Sequence, residues 1–359
     1  MIYKNLVRPL LFRFPSDYAH ELAINMASSM SKMKWVLQTL GALYEYSDAS
    51  LEQKIFGLKF KNPIGLAAGF DKNGTTCPLM EKLGFGFVEI GSITANPSAG
   101  NPKPRSFRLP KDHSLINRLG LNNDGVRTIS RRLRKQSISI PTGINIAKTH
   151  NPSITGVKAI LDYQTSFNLV KDFADYITLN ISCPNTEEGK TFEEPESLNT
   201  LLDALKIKND ASLPAVLVKF SVDLDDRQLT ELIEICEDHA IDGYVATNTS
   251  SLREGLKTPS SAVEKIGKGG LSGKAITHRS TSIIEKIAAQ TNREKTIIGV
   301  GGISNTSDAI DKLKAGADLL QIYTGLVYEG PGLVKKINRG LAEYLEKRGI
   351  DHIYHINKS

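Results

Sequence analysis

A short apolar run that recurs eight times restricts the fold of this chain more than any other feature of the sequence. Each run ends in a polar or glycine-rich turn, and a stretch with helical periodicity follows nearly all of them. Buried parallel strands have this continuous apolar character, because helices cover both faces of their sheet. The runs lie at 62–68, 86–92, 142–148, 176–182, 215–221, 242–248, 296–302 and 318–325.

Eight strand–helix units predict an α/β fold, a closed (β/α)8 TIM barrel, with an open doubly wound sheet as the alternative. The 359 residues exceed the roughly 250 of a simple barrel, so additions are expected. We expect an amino-terminal helical extension over 1–48, the barrel over 49–350 and a tail over 351–359. Within these limits, 54–61 predicts a small hairpin at the bottom of the barrel, and 331–349 predicts the last helix.

The predicted extension carries one apolar stripe, which runs from Tyr18 to Leu40 in steps of three or four residues. Such a stripe can pack a helix against the barrel for stability. It can also form a lid that lies on a membrane surface and admits a lipophilic ligand. Lys and Arg outnumber Asp and Glu in the first 40 residues, which favours the membrane-facing interpretation.

Composition and charge exclude several classes of function. The net charge of +6 suits anionic small molecules or an anionic membrane surface, and the scattered basic residues do not form the aromatic-interleaved stripe of a nucleic-acid-binding protein. Three cysteines, without a CxxC pair or histidines at zinc spacing, indicate neither a disulfide framework nor a metal site. No uncharged apolar run approaches the ~18 residues of a membrane-spanning helix, and the first residues do not resemble a secretory signal.

Polar residues end most of the predicted strands. In TIM barrels the active site lies at the carboxyl ends of the strands, so these residues are candidates for chemistry. A single asparagine at such a place can instead cap the next helix. Because several strand ends converge on one mouth, the functional interpretation is favoured. The residues are Asp71, Lys72, Asn73, Asn145, Asn180, Ser182, Cys183, Asn185, Lys219, Thr247, Asn248 and Thr249.

Glycine-rich turns after the last two strands predict a phosphate site. Gly301 and Gly302 end the seventh run, Thr324 and Gly325 end the eighth, and 269–273 adds a third glycine loop. The phosphate could belong to a phosphorylated sugar or to FMN. A lysine on the fifth strand can stabilise negative charge on a reduced flavin, and its competing role is the Schiff-base lysine of an aldolase-type barrel.

The motifs of the chain resemble those of the dihydroorotate dehydrogenases from about residue 1 to 347. The most specific are LAAGFDKNG at 66–74, NRLGLNNDG at 117–125 and LNISCPNT at 179–186. The extension resembles that of the class that passes electrons to membrane quinones. The resemblance implies an oxidoreductase of pyrimidine biosynthesis that oxidises dihydroorotate to orotate with FMN, peripheral to the cytoplasmic face of the cell membrane. The alternative is a cytoplasmic enzyme of the soluble class, which uses fumarate or a nicotinamide-linked partner.

The resemblance also implies a role for each matching residue. Cys183 would be the base that removes a proton from C5 of the substrate. The FMN contacts would be Ala68, Gly69, Phe70, Asp71, Lys72, Ser92, Asn145, Asn180, Lys219, Thr247, Gly273, Gly302, Tyr323 and Thr324. The substrate contacts would be Lys72, Asn117, Arg118, Leu119, Gly120, Leu121, Asn180, Asn185, Asn248 and Thr249. The quinone path would be lined by His20, Arg108 and Tyr323.

Three departures separate the chain from the quinone-linked pattern. Cys183 stands where that class has serine, as in the soluble class; Leu121 replaces a phenylalanine; and 219–224 reads KFSVDL instead of KIAPDL. A free cysteine is more commonly a small buried hydrophobe, which is the role we expect for Cys77 and Cys236.

Two alternative functions lie outside the dehydrogenases. They are a non-redox phosphate-binding isomerase or aldolase and a non-catalytic membrane-binding protein.

Overall fold

The computed structural model describes residues 2–182, 192–210 and 212–358. A short π-helical turn comes first, followed by three helices and two short strands that precede the barrel. These are α1 (Arg8–Leu11), α2 (Ser16–Met30), α3 (Lys34–Tyr44), β1 (Gln53–Ile55) and β2 (Leu58–Phe60).

Strands and helices then alternate along most of the chain. The strands are β3 (Ile64–Leu66), β4 (Phe87–Ile93), β5 (Ser106–Leu109), β6 (Ser114–Asn117), β7 (Thr142–Ile146), β8 (Tyr176–Asn180), β9 (Ala215–Phe220), β10 (Gly243–Ala246), β11 (Gly270–Gly273), β12 (Thr296–Val300) and β13 (Leu319–Ile322). The helices are α4 (Cys77–Lys82), α5 (Val126–Leu133), α6 (Val157–Val170), α7 (Pro195–Leu205), α8 (Asp226–Asp238), α9 (Ser260–Ile266), α10 (Thr277–Gln290), α11 (Thr306–Ala315), α12 (Thr324–Glu329) and α13 (Leu333–Arg348).

Eight of these strands close a parallel barrel. The order around it is β3, β4, β7, β8, β9, β10, β12 and β13, and β13 pairs with β3 to complete the ring. Each of the eight apolar runs contains one barrel strand, so the predicted TIM barrel is confirmed and the open sheet is excluded. The last helix, α13, ends at Gly349 in the left-handed conformation, as the sequence predicts.

The interior of the barrel changes from apolar to polar along the strands. Near their amino ends, Phe87, Tyr176, Leu217 and Leu319 form one buried apolar cluster. Two residues further along these four strands stand the buried polar residues Glu89, Thr178, Lys219 and Gln321. Since alternate residues of a strand share a face, both sets point into the barrel, and the polar set lies nearer the carboxyl ends.

The predicted hairpin closes the apolar end of the barrel. β1 and β2 pair antiparallel, with Ile55 opposite Leu58. Phe60 is fully buried within the interior apolar cluster and contacts the ring of Phe87 edge-on, with 5.4 Å between centroids. The hairpin therefore covers the end of the barrel that lies opposite the carboxyl ends of the strands.

The extension folds as separate helices rather than one. A turn at residues 31–33 breaks the apolar stripe between α2 and α3. The Asp17 carboxylate accepts a hydrogen bond from the Arg105 backbone N–H at 2.9 Å, which fastens α2 to the barrel. The outer surface stays apolar, and Trp35 is 70% exposed. No helix within the described ranges is both long and apolar enough to cross a bilayer.

A three-stranded antiparallel sheet, in the order β11, β6 and β5, lies beside the barrel mouth. The segment GGLSG at 269–273, which was predicted to be a glycine loop, instead contributes residues 270–273 to β11. Its pairing partner is β6, in which Ser114 lies opposite Gly273. Leu109, Ile116 and Leu271 of this sheet pack in a small apolar cluster of their own, which stabilises it on the barrel.

Candidate functional site

A cavity of about 570 Å³ lies at the carboxyl ends of the strands and is lined by most of the predicted site residues. Those on its wall are Ala68, Gly69, Lys72, Ser92, Asn117, Arg118, Leu119, Gly120, Leu121, Asn180, Lys219, Thr247, Asn248, Thr249, Gly273, Gly302, Tyr323 and Thr324. A larger groove, about 780 Å³, lies on the outer surface between α10 and α11, and none of the described site residues lines it. The barrel mouth is therefore the candidate active site.

Three predicted cofactor contacts stand behind this wall: Phe70, Asp71 and Asn145. The Asp71 carboxylate accepts hydrogen bonds from the Thr76 backbone N–H at 2.6 Å and from the Thr76 hydroxyl at 2.8 Å. It thereby fixes the loop that carries Lys72. Asn145 is fully buried and contacts Ser92, which does line the cavity. Cys183 and Asn185 lie outside the described residues.

A chain of amides and hydroxyls crosses one side of the mouth. Ser92 donates to the Asn145 side-chain oxygen and accepts from Asn180 Nδ2 at 2.9 Å. Asn248 Nδ2 donates to Asn180 Oδ1 at 3.2 Å and to the Ser182 hydroxyl at 2.8 Å. The chain thus ends one residue before Cys183. Paired amides of this kind can recognise a planar ring that has both donors and acceptors on its edge.

Glu89 is a functional candidate that the sequence analysis did not select. Its carboxylate is fully buried and accepts hydrogen bonds from Asn145 Nδ2 at 2.9 Å and from Gln321 Nε2 at 2.7 Å. The hydroxyls of Tyr176 and Thr178 donate to it as well, each at 3.2 Å. The signal was present in the sequence, since an acidic residue in the middle of a buried apolar strand requires internal partners.

Two lysines supply positive charge to the cavity. Lys219 is 6% exposed and makes no hydrogen bond or ion pair with any residue that the structure describes. Burial lowers its pKa, and the nearby Glu89 carboxylate opposes that shift. Burial and the positive charge of Arg105 lower the pKa of Lys72 to about 8. A buried lysine without a protein partner favours an anionic ligand in this cavity.

The opposite side of the mouth is built from backbone. Gly302 has φ of +77°, and a Cβ there would lie 1.9 Å from the Thr277 hydroxyl oxygen. Gly273 has φ of +96°, and a Cβ there would lie 2.6 Å from the His113 carbonyl oxygen. Both positions therefore require glycine. Close approach of backbone amides is what a phosphate group needs, so this side fits the predicted phosphate site.

Rings connect the extension to this glycine-rich side. His20 of α2 contacts Phe70 at 5.3 Å between centroids, and Phe70 contacts Tyr323 at 5.4 Å, both edge-on. Burial and the charge of Lys72 lower the pKa of His20 to about 3, so its imidazole is neutral at pH 7. Arg108 donates to the Leu11 and Phe14 carbonyls at 3.1 and 2.5 Å, and it therefore holds the first helices in place.

Two buried polar atoms of the mouth lack a hydrogen-bond partner among the described residues: Thr247 Oγ1 and Gln321 Oε1. With the unpaired Lys219 amine and the glycine positions, they fit a ligand that carries a phosphate at one end and a polar ring at the other. Within the same residues, no group of three or more His, Cys, Asp or Glu side chains is placed to hold a metal ion. Cys77 and Cys236 are free and buried, in agreement with the packing role predicted for them.

Comparison with known proteins identifies the family. The pattern described as dihydroorotate dehydrogenase matches residues 50–345. A protein of Christiangramia forsetii named dihydroorotate dehydrogenase (quinone) is 43% identical over 344 residues, which cover 95% of this chain and 99% of that protein. A protein of Trichodesmium erythraeum with the same name is 39% identical and covers 98% of this chain and 97% of its own length.

A solved structure agrees. The crystal structure of DHODH from Eimeria tenella in complex with ferulenol is similar to this chain with a TM-score of 0.83 and 31% sequence identity. The match covers 96% of this chain and 95% of that one. The chain belongs to the dihydroorotate dehydrogenase family, whose members are flavin-dependent oxidoreductases.

Proposed function

We propose that this chain is a quinone-linked dihydroorotate dehydrogenase, which binds FMN and oxidises (S)-dihydroorotate to orotate in pyrimidine biosynthesis. The observation that carries the proposal is the buried Lys219 amine, which has no hydrogen-bond partner among the described residues and lines the same cavity as Gly273 and Gly302. This pairing fits FMN, because the ring of a flavin gains negative charge on reduction and its chain ends in phosphate. The family membership supports the same cofactor.

The residues of the chain divide the work of binding FMN. Gly302 and Gly273 line the cavity at the phosphate end, where the Thr324 hydroxyl lies 2.9 Å from that of Ser272. Lys219 places positive charge beside the ring, and Thr247 offers a hydroxyl that has no partner among the described residues. When bound, FMN supplies the group that accepts the hydride from C6 of the substrate.

The substrate would lie between the amide chain and the loop that follows β6. Asn180 and Asn248 offer side-chain donors and acceptors to the imide edge of the ring, and Lys72 offers charge to the carboxylate. An analogue that lacks one of these edges would leave buried amides unpaired, which explains how such a site selects its substrate. Arg118 has a different role, because its guanidinium donates to the Ile266 and Lys268 carbonyls and holds α9 near the cavity.

Proton transfer is assigned to Cys183, which follows Ser182 directly in the chain. The Ser182 hydroxyl donates to Asn180 Oδ1 at 3.3 Å, so the residue before the base belongs to the substrate-binding network. Cysteine has an unperturbed pKa of about 8.5, so it can act as a general base once some thiolate is present. The proton leaves C5 of the substrate to this sulfur.

The acceptor side is assigned to the extension, residues 1–48, with the barrel over 49–350 and the tail over 351–359. Large apolar side chains of the extension are exposed, among them Ile2, Leu6, Leu10 and Trp35, and basic residues stand between them. This combination suits a peripheral position on the cytoplasmic face of the membrane, from which a quinone can enter. His20 and Tyr323 would line the path by which the quinone approaches the flavin.

One experiment tests the proposal. The purified full chain is expected to be yellow, to release FMN on denaturation, and to be reduced by dihydroorotate under anaerobic conditions. The reduced protein is then offered a long-tailed quinone, fumarate and a nicotinamide nucleotide, and we expect rapid reoxidation by the quinone alone. Reoxidation by fumarate instead would assign the chain to the soluble class, to which a cysteine base belongs. A colourless protein that takes up no FMN would overturn the proposal.

A further inference from the structure

Glu89 stands at the inner end of the hydrogen-bond chain that reaches the substrate side of the mouth. It lies in the middle of β4, and all four of its donors come from the barrel interior. Its two carboxylate oxygens have different partners. Asn145 Nδ2 donates to Oε1, whereas Tyr176, Thr178 and Gln321 donate to Oε2. The Oε1 side leads through Asn145 to Ser92 and Asn180, whereas the Oε2 side reaches the cavity separately, through Gln321.

The direction of each bond in this chain follows from the carboxylate. A carboxylate only accepts, so Asn145 turns its Nδ2 toward Glu89 and its Oδ1 toward Ser92. Ser92 then gives its single hydrogen to Asn145 and can only accept from Asn180. Asn180 therefore presents Nδ2 to Ser92 and keeps Oδ1 for Asn248 and Ser182.

We propose that Glu89 is a positioning residue, which fixes the direction of the chain Asn145–Ser92–Asn180 and thereby the orientation of the amides that bind the substrate. The inference rests on the proposed function, because it takes orotate to be the ligand that hydrogen-bonds to the oriented amides. Without an acceptor-only group at its inner end, the chain has two directions of similar energy. In one of them Asn180 presents the wrong atom to the substrate, and a buried amide group is then left unpaired.

The test is Glu89→Gln, which keeps the shape of the side chain but gives it a hydrogen-bond donor as well as an acceptor. We expect the dissociation constant of orotate, measured from the perturbation of the flavin spectrum, to rise about tenfold. In steady state, KM for dihydroorotate should rise more than kcat falls. Thermal melting of the variant shows whether the fold is retained.

Tyr176→Phe and Thr178→Val are the matched controls. Each removes one donor to Glu89 Oε2 and leaves the bond between Oε1 and Asn145 in place. If Glu89 acts through the direction of the chain, orotate affinity should change less than about twofold in both. If Glu89 serves only to satisfy buried groups, the controls and Glu89→Gln should weaken binding alike, and the inference is then overturned.

A double substitution separates direction from folding. Glu89→Gln combined with Asn145→Asp moves the acceptor-only group one step along the chain, where the Ser92 hydroxyl can still donate to it. Orotate affinity is expected to recover relative to Glu89→Gln alone, and a further loss would overturn the inference. If the unmodified protein shows no spectral response to orotate, the proposed function fails and this inference falls with it. Equal binding by the unmodified protein and Glu89→Gln overturns the inference alone.

Discussion

The two sides of the barrel mouth offer different chemical groups to a ligand, namely side chains on one side and backbone on the other. On the side formed by β4, β7, β8 and β10, recognition groups are side chains, and Asn180 and Asn248 are held by bonds to one another. On the side formed by β11, β12 and β13, the expected recognition groups are backbone amides. A methyl group on Gly302 would lie 1.9 Å from the Thr277 hydroxyl oxygen. The amide side can be tuned by single substitutions, whereas Gly273 and Gly302 on the other side have no room for a side chain.

The difference reflects what each side has to bind. A planar substrate that must be told apart from similar rings needs donors and acceptors at fixed places, and side chains provide these. A phosphate is the same in every nucleotide, so backbone amides suffice. Substitutions on the amide side should therefore alter chemistry and specificity, and substitutions on the glycine side should alter retention of the cofactor.

The largest effect is expected on the amide side. Cys183→Ala should slow anaerobic reduction of the flavin by dihydroorotate roughly 10²-fold or more, because a general base is lost, while FMN stays bound. Stopped-flow absorbance measures the rate. Cys236→Ala removes a buried cysteine of α8 and serves as the control, with an unchanged rate. Reduction of Cys183→Ala at the parental rate would show that another group takes the proton.

On the glycine side, Gly302→Ala should weaken FMN binding roughly thirtyfold (~2 kcal/mol), through backbone strain and the contact with Thr277. Titration of the apoprotein with FMN measures this affinity. Gly267→Ala is the control, because its φ of +74° is similar but its Cβ would meet nothing within 4 Å. Equal losses in the two variants would mean that backbone strain, and not the close approach, limits binding.

The extension joins the glycine side through Phe70 and Tyr323, so its substitutions should affect the acceptor and not the substrate. Trp35→Ser with Leu43→Ser should weaken binding to anionic vesicles roughly tenfold, since two exposed apolar side chains are lost, and should lower quinone turnover. Reduction by dihydroorotate should be unchanged. Leu161→Ser, at a similarly exposed leucine on α6, should change none of these. If Leu161→Ser had the same effects as the double variant, the extension would have no special role in the reaction with the quinone.

The smallest effect concerns a buried lysine behind the glycine turns. Lys312 donates to the Ser280 hydroxyl at 2.9 Å, and burial lowers its pKa to about 7. Above pH 7 the unfolded chain binds more protons at this lysine than the folded protein, so the free energy of unfolding should rise with pH, by about 1.4 kcal/mol per pH unit at most. Urea unfolding at pH 7, 8 and 9 should show this slope, and Lys312→Met should reduce it to the part that Lys72, whose pKa is also lowered, contributes. Lys314→Met, at an exposed neighbour, should keep it.

Local patterns predicted the parts of the fold that local forces determine. The eight barrel strands were found because a strand buried on both faces is apolar throughout, as in β12. The three-stranded sheet was missed because its strands are short and pair across long stretches of chain, as Ser114 does with Gly273. No glycine or proline marks the turn at 31–33, so one stripe was predicted where two helices occur.

The site shows the same division. Polar residues at strand ends predicted most of the cavity wall, because the topology of a barrel brings those ends together. The direction of the amide chain was not predictable, since it depends on which oxygen of Glu89 each donor meets. The partner of the Asp71 carboxylate was not predictable either, and the structure shows it bound to its own loop.

The pairing of the first barrel strand with the last has a consequence for the newly made chain. Ile64 of β3 pairs with Leu320 of β13, and Gln53 of the hairpin donates to the Asp318 carbonyl at 2.8 Å. At about 5–20 residues per second, a ribosome needs on the order of ten to fifty seconds to add the residues between them. Throughout that time one edge of β3 has no partner strand, and the hairpin lacks part of the wall that it closes. The ring and its floor can therefore be completed only at the end of synthesis.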